Sequence, residues 1–427
     1  MPYGDRLLDL DIPKSSLAYV IDAGEVPPVE DALKEIRRAL SSPISHPGIK
    51  SLAKPGDKVV ILGDDMARPT PCHLLVPPIL DELNQAGVRD SDVTIIVSTG
   101  THRSLTEEEF KAKFGEEAAS RVRVVNHDYR DERGLHFLGR TPLGTPIWLN
   151  REFIQANYRI GLGGVIPHPF GWGGGGKIVE PGICGAETIF KVHRLAASYR
   201  IHDLIGEVEN PVRREIDEVA RKAGLDFIVN TVIDAEGRLV GVFAGNLVEA
   251  HREGIKLAEQ IYRPSVPFRT DIAVAGSPGF SVNIDYWQAV KGVLAASCFV
   301  KHGGTVILAT PCYEGIPVSS HLEVLELGAL PYKEAIKKID EGGFADPSLP
   351  GFISINGQAR EKAEILIFSD HLSEVECEGL GLRKVGSLQG AVDEALARHG
   401  RGATVGVLRH FEVFPRVEGE RTGAGLG

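Results

Sequence analysis

The sequence predicts an α/β protein of two domains, each a mostly parallel, Rossmann-like sheet flanked by helices. Three observations carry this. Short apolar runs alternate with amphipathic helical stretches along most of the chain. The alternation breaks once, at RPSVPFRTD (263–271), which holds two prolines and no period, and then resumes. Several apolar runs end in small or charged loop residues, as strands do where open parallel sheets bind ligands. The expected domains are 1–264 and 265–427, with the last strand a candidate to return to the first domain and the active site in the cleft between them.

In order, DKVVILGDD (57–65) reads as a buried strand, and HLLVPPILDELNQAG (73–87) as a helix ended by Gly87. DVTIIVSTG (92–100) is a strand, LTEEEFKAKFGEEAASR (105–121) a helix, and VRVVNHD (122–128) a strand. YRIGLGGV (158–165) is a strand that runs into glycine-rich sequence. PVRREIDEVARKAG and LVEAHREGIKLAEQIY are helices with strands between them. After the break come strand DIAVAG, helix DYWQAVKGVLAASCFV and strand GTVILAT, then strand AEILIFSD, helix LQGAVDEALARHG and strand ATVGVLRH. The tail VEGERTGAGLG (417–427) reads as loose.

The net charge is −11 with no long basic block, which argues against nucleic acid or an anionic membrane as the main partner. No run approaches the ~18 apolar residues of a membrane span, and the N-terminus lacks the apolar core of a signal peptide. The five cysteines are scattered, without CxxC pairs, which points to a reducing, cytoplasmic setting.

Chemistry concentrates at the strand ends. In GDDMARPTP, Arg68 stands between Ala67 and Pro69, a fixed backbone suited to a carboxylate or phosphate clamp; the plainer reading pairs it with Asp64 or Asp65. In STGTHR, Thr99, Gly100 and Thr101 offer backbone N–H groups as an anion nest, and His102 projects from it. His168 opens HPFGWGGGGKIVEPG (168–182). Two loop histidines on neighbouring strands suit proton transfer. The glycine stretch nearly spells a phosphate-binding P-loop, but Ile178 follows Lys177 where a magnesium-binding Ser or Thr belongs. Lys177 therefore has three readings: a phosphate-binding charge, a Schiff-base lysine, or the attachment point of a cofactor. His193, in the helical AETIFKVHRLA, has a plain structural reading and a metal-ligand one. Gln288 and Lys291, three apart, share a helix face, which on spacing alone suits solvent as well as a site.

Taken together, DDMARPTP, STGTHR, HPFGWGGGGKIVEPG, KVH and WQAVK occur in an order that resembles the lactate racemase family of nickel-pincer-nucleotide enzymes, most clearly over residues ~50 to ~300. The resemblance implies racemisation or epimerisation of a 2-hydroxy acid by reversible hydride transfer from the substrate α-carbon. It implies nickel in a thio-modified pyridinium dicarboxylate mononucleotide, joined covalently to Lys177 and installed by cofactor-synthesis enzymes. His193 would be the nickel ligand, His102 and His168 the acid/base pair, and Arg68, Gln288 and Lys291 the substrate-binding set. Asp65, Thr99, Gly100, Thr101, Gly174, Gly175 and Gly176 would contact the cofactor. Family members commonly carry a threonine where this chain has Ala67, and a tryptophan from the second domain near the substrate, a place for which Trp172, Tyr286 and Phe352 are the candidates here. The alternatives are a nickel-independent Schiff-base or phosphate-binding lysine enzyme and a non-catalytic cofactor-binding protein.

Overall fold

A computed structural model describes residues 1–279, 281–316 and 322–419, so the part of the expected loose tail beyond 419 lies outside the described residues. The chain opens with three short strands, β1 (Pro2–Gly4), β2 (Arg6–Leu7) and β3 (Leu17–Ile21). It then builds a six-stranded sheet from β4 (Val59–Gly63), β5 (Val93–Val97), β6 (Arg123–Asn126), β7 (Tyr158–Gly164), β8 (Phe227–Ile233) and β9 (Leu239–Gly245). The spatial order is β9-β8-β7-β4-β5-β6, parallel throughout except for the β8–β9 hairpin. Every residue of β4 is buried, as expected of a parallel strand covered on both faces.

The second sheet has eight strands and contains β10 (Thr270–Pro278), β11 (Val300–Ala309), β12 (Ala363–Phe368), β13 (Arg383–Lys384) and β14 (Val405–Leu408). Its remaining strands are β1, β2 and β3: β1 pairs with the end of β10, and β3 pairs with β14. The opening residues, expected in the first domain, thus complete the second sheet. β14, expected as a strand that could return to the first domain, stays between β10 and β3.

The helices that frame the cleft are α1 (Cys72–Gln85), α2 (Ala186–Ala196), α3 (Pro211–Ala223), α4 (Glu249–Tyr262), α5 (Tyr286–Phe299) and α6 (Leu349–Lys362). The expected helix over 105–121 is two helices, because Gly115 turns the chain at φ +89°. α6 had no clear signal in the sequence. Nearly all of its first eleven residues are buried, so LPGFISINGQAREK carries no polar face to give a 3.6-residue period. One apolar cluster runs across both halves, from Val165, Phe170 and Trp172 to Tyr286, Val293 and Phe352, and fixes the cleft floor. Among the described residues no helix is long and apolar enough to cross a membrane.

Candidate active site

β7, β4 and β5 are neighbours, and all three point their C-terminal ends at the cleft. Asp64 to Arg68 follow β4, Ser98 to His102 follow β5, and the segment to Lys177 follows β7. From the second half, α5 brings Trp287, Gln288 and Lys291, and the start of α6 brings Gly351 and Phe352. These line one cavity of about 140 Å³.

The β4 loop is held from below. Lys113 is buried and donates to Asp64 Oδ1 (2.7 Å) and to the Arg68 carbonyl (2.7 Å). Asp64 is therefore spoken for, and Asp65 bonds His102, so Arg68 pairs with neither carboxylate. Its Nη1 donates to Gln288 Oε1 across the cleft at 2.9 Å. Lys291 Nζ donates to the same oxygen at 2.9 Å. Two donors that cannot accept fix the Gln288 amide, so its Nε2 is the donor 3.2 Å from His102 Nε2. On its other side His102 Nδ1 lies 2.6 Å from Asp65 Oδ2. Burial opposes ionisation of Asp65, but the neighbouring His102, Arg68 and Lys113 outweigh it and hold the carboxyl well below its ordinary value. The network assigns the tautomer: Nδ1–H of His102 faces Asp65, and its Nε2 is a lone-pair acceptor at the cleft. The Asp285 side chain caps α5 by accepting from the Gln288 N–H at 2.8 Å, which seats Gln288 in the first turn.

His168 is arranged the other way. Its Nδ1 accepts from the Phe170 N–H at 3.1 Å, so the ring proton resides on Nε2. Burial, reinforced by Lys177, Lys291 and Arg68, keeps it well below the usual histidine range and neutral. One histidine thus presents a ring lone pair to the cleft and the other a ring N–H. Phe170 is the hub of this wall: its ring meets His168 at 5.2 Å and His193 at 5.1 Å between centroids, and Lys177 Nζ stands 5.5 Å over it. His193 Nδ1 donates to the Ile189 carbonyl at 2.9 Å, which leaves Nε2 as a free donor atom for a metal. Burial lowers its titration to about 4. Gly351 lets α6 approach it, since a Cβ there would lie 2.7 Å from the imidazole.

The glycine stretch does two jobs. Gly174 lines the cavity, whereas Gly175 and Gly176, expected at the cofactor, turn away from it. A Cβ on Gly175 would lie 2.5 Å from Arg213 Nη2 and 2.9 Å from the His251 ring, and one on Gly176 would lie 2.9 Å from Asp217 Oδ1. Those glycines let the loop pack on α3 and α4. Arg213 Nη1 grips the Trp172 and Gly174 carbonyls (both 3.1 Å), His251 bonds the Gly173 carbonyl (2.7 Å), and Asn230 Oδ1 accepts from Gly175 N–H (2.9 Å). Ile178, at the P-loop's hydroxyl position, is a core residue. The STGTHR nest is also largely spent. The N–H groups of Thr99, Gly100 and His102 donate to Val97, Gly182 and Thr99 carbonyls, the Thr99 hydroxyl donates to His127, and the Thr101 hydroxyl meets Ser348. The Ser98 hydroxyl is buried without a partner at the cavity.

Of the three aromatic candidates for the substrate wall, Trp172 and Tyr286 turn into the core, bonding Gly206 and Asn356. Phe352 lines the cavity, stacked on Trp287 with centroids 4.4 Å apart. Sequence reasoning passed over Trp287, Phe170, Ser98 and Ser348. HPF and YWQ marked two of these, since each lies beside a residue already singled out. Among the described residues no group of three or more His, Cys, Asp or Glu side chains could hold a metal alone.

Comparison with known proteins matches the lactate racemase N-terminal domain over residues 3–202 and its C-terminal domain over 266–410. The chain is 31% identical over 319 residues to a lactate racemase of Thermoanaerobacterium thermosaccharolyticum, covering 74% of each. It is 30% identical over 324 residues to one of Lactiplantibacillus plantarum, covering 74% of this chain and 75% of that protein. The solved lactate racemase apoprotein of T. thermosaccharolyticum superposes with a TM-score of 0.84 at 25% identity, over 98% of this chain and 99% of that one. A Thermotoga maritima protein shares the fold with a TM-score of 0.70 at 20% identity, over 91% of this chain and 98% of that one. On these matches the chain belongs to the lactate racemase family.

Proposed function

We propose that this chain racemises or epimerises a 2-hydroxy acid, lactate or a larger relative, with a nickel-pincer nucleotide tethered to Lys177. The observation that carries the reading is the opposed pair of histidines: His102 offers a lone pair at Nε2 and His168 a proton at Nε2, on two walls of one cavity. A reaction that works on both faces of one carbon needs a base and an acid on opposite sides.

The residues present fit the cofactor. Lys177 lines the cavity and its ammonium has no hydrogen-bond or ion-pair partner among the described residues. Ser98 offers an orphaned hydroxyl. His193 supplies one imidazole, and among the described residues no group of three or more His, Cys, Asp or Glu side chains stands ready to complete a site, which suits a metal whose remaining donors come from the bound group. When bound, that group supplies a hydride acceptor. Arg68 and Lys291, converging on one oxygen, would take the substrate carboxylate and hold the 2-keto acid between half-reactions. Asp65 keeps His102 in the tautomer that receives the hydroxyl proton. Either histidine serves as base for one enantiomer and as acid for the other. Five buried free thiols suit a reducing, cytoplasmic setting, where cofactor-synthesis enzymes would load Lys177.

The test is production together with those enzymes, followed by intact mass, nickel analysis and chiral chromatography on a panel of single-enantiomer 2-hydroxy acids. The reading expects an adduct on Lys177, bound nickel, and interconversion that is lost in His102→Gln and in His168→Gln. An unmodified chain without nickel, or a loaded chain inert toward every hydroxy acid, overturns it.

A further inference from the structure

The first sheet carries the active site where its strand order reverses. β4, β5 and β6 step outward one way, β7 and β8 lie on the other side of β4, and the cleft opens at the carboxyl ends between them. The second sheet has a reversal of the same kind. β10, β11, β12 and β13 step one way, whereas β14 and β3 lie on the other side of β10. At the carboxyl ends of β10, β14 and β3 lies a second cavity, of about 1100 Å³, bounded on its far side by the turn between β8 and β9.

This cavity is acidic. Asp22, Glu25, Asp234, Glu236 and Glu412 line it, against Arg238 and Arg409. Both arginines are spent. Arg238 pairs with Asp234 at 2.7 Å and Glu236 at 3.1 Å, and Arg409 with Asp22 at 3.3 Å. Glu25 and Glu412 have no hydrogen-bond or ion-pair partner among the described residues. Glu25 is exposed. Glu412 is only 7% exposed, and no neighbour donates to it. A carboxylate so far removed from water and left without a donor is costly, and a bound cation offsets that cost. The turn that carries it is fixed, since the Val413 N–H donates to the His410 carbonyl at 2.9 Å. His410, on the same turn, is buried, which lowers its titration, so it adds no positive charge at neutral pH. Phe411 packs the turn on α5, where a Cβ on Gly292 would lie 2.9 Å from its ring.

Val26 and Val282 add apolar wall beside these acids. Two unpaired carboxylates set in apolar surface call for a ligand with two cationic ends and an alkyl spacer. An anion would meet net negative charge. A lone metal ion fits poorly: the cavity far exceeds one ion, and among the described residues no group of three or more His, Cys, Asp or Glu side chains could hold one. We propose that this second cavity is a binding site for a linear di- or polyamine, with one ammonium seated on Glu412, another on Glu25, and the alkyl chain along Val26 and Val282.

The test is calorimetric titration of the full chain with spermidine in about 0.15 M salt, which screens diffuse counter-ion binding. One saturable site is expected. Glu412→Gln removes a desolvated charge partner and should weaken it at least about tenfold. Glu25→Gln removes an exposed one and should cost about two- to fivefold. Glu374→Gln changes an exposed acid outside the cavity and should have no effect. Binding that does not saturate, an unchanged affinity in Glu412→Gln of wild-type melting temperature, or an equal loss in Glu374→Gln overturns the proposal. Magnesium chloride that competes as well as spermidine at equal charge also overturns it, because the alkyl chain would then have no seat. Should Glu412→Gln not fold, the exposed Glu25→Gln decides: an unchanged affinity there overturns the proposal.

Discussion

Substrate affinity should depend on the charge of Lys291. Its Nζ is buried, bonds only the neutral Gln288 carbonyl at 2.9 Å, and has no ion pair among the described residues. Burial, aided by Arg68, brings its titration down to about 7. Because the shift is downward in a cation, the charged form is present below pH 7 and lost above it. A substrate carboxylate supplies the missing counter-charge and draws the group back toward the ordinary lysine value of about 10.4. Anion affinity should therefore be full at pH 6 and fall about tenfold per unit above 7, roughly a hundredfold by pH 9, or ~1.4 kcal/mol per unit. Arg68 stays charged throughout and sets the residual binding. A 2-hydroxy acid with no α-hydrogen, such as 2-hydroxyisobutyrate, isolates binding from turnover and can be titrated by calorimetry or by Trp287 fluorescence. Lys291→Arg, which keeps its charge, should flatten the profile. A dissociation constant that is level from pH 6 to 9, or a slope that survives in Lys291→Arg, would refute the assignment.

Three further outcomes follow from the same geometry. Asp65→Asn exchanges a charge-assisted bond of about 1.5–3 kcal/mol for a neutral one and permits the wrong His102 tautomer, so kcat should drop ten- to a hundredfold with KM little changed in steady-state kinetics. His193→Ala should leave the Lys177 adduct intact by mass while nickel content falls in metal analysis. Gly175→Ala places a Cβ at φ +56° against Arg213 and His251 and should cost about 2 kcal/mol or more, read as a lower melting temperature before any loss of cofactor is considered.

The repeating strands and helices were legible because their signals are local. VVILG is a continuous apolar run, and the helix Pro211–Ala223 has an asparagine cap, a proline at its start and a left-handed glycine at its end. The long-range pairings were not. Nothing in PYG or LAYVI says that these short segments complete a sheet more than 250 residues away, because a strand's partner is chosen by the space left open in the fold. α6 escaped for the opposite reason: burial on every side erases the amphipathic period. That Arg68, His102, His168, Lys177 and His193 would meet was legible, since loops after neighbouring parallel strands converge, whereas Gly175 and Gly176 lie outside the cavity. The partners of the meeting residues were not legible, and the partners decide the chemistry. His102 and His168 look alike in sequence, and they come to present different ring nitrogens to the cleft only through Asp65 and Gln288 on one side and the Phe170 N–H on the other.

The glycine stretch makes the same point at closer range. Read as composition, four glycines before a lysine suggest space for a flat ligand, and Ile178 looks like a lost hydroxyl. In the fold, Gly175 and Gly176 let the backbone sink against α3 and α4, where Arg213, His251 and Asn230 strap it, and Ile178 anchors the turn in the core. That packing sets Lys177 facing the cavity. A phosphate loop needs its N–H groups pointing outward, and here the Gly175 N–H is consumed by Asn230. The stretch sets one amine at the cleft, as the proposed covalent attachment would need.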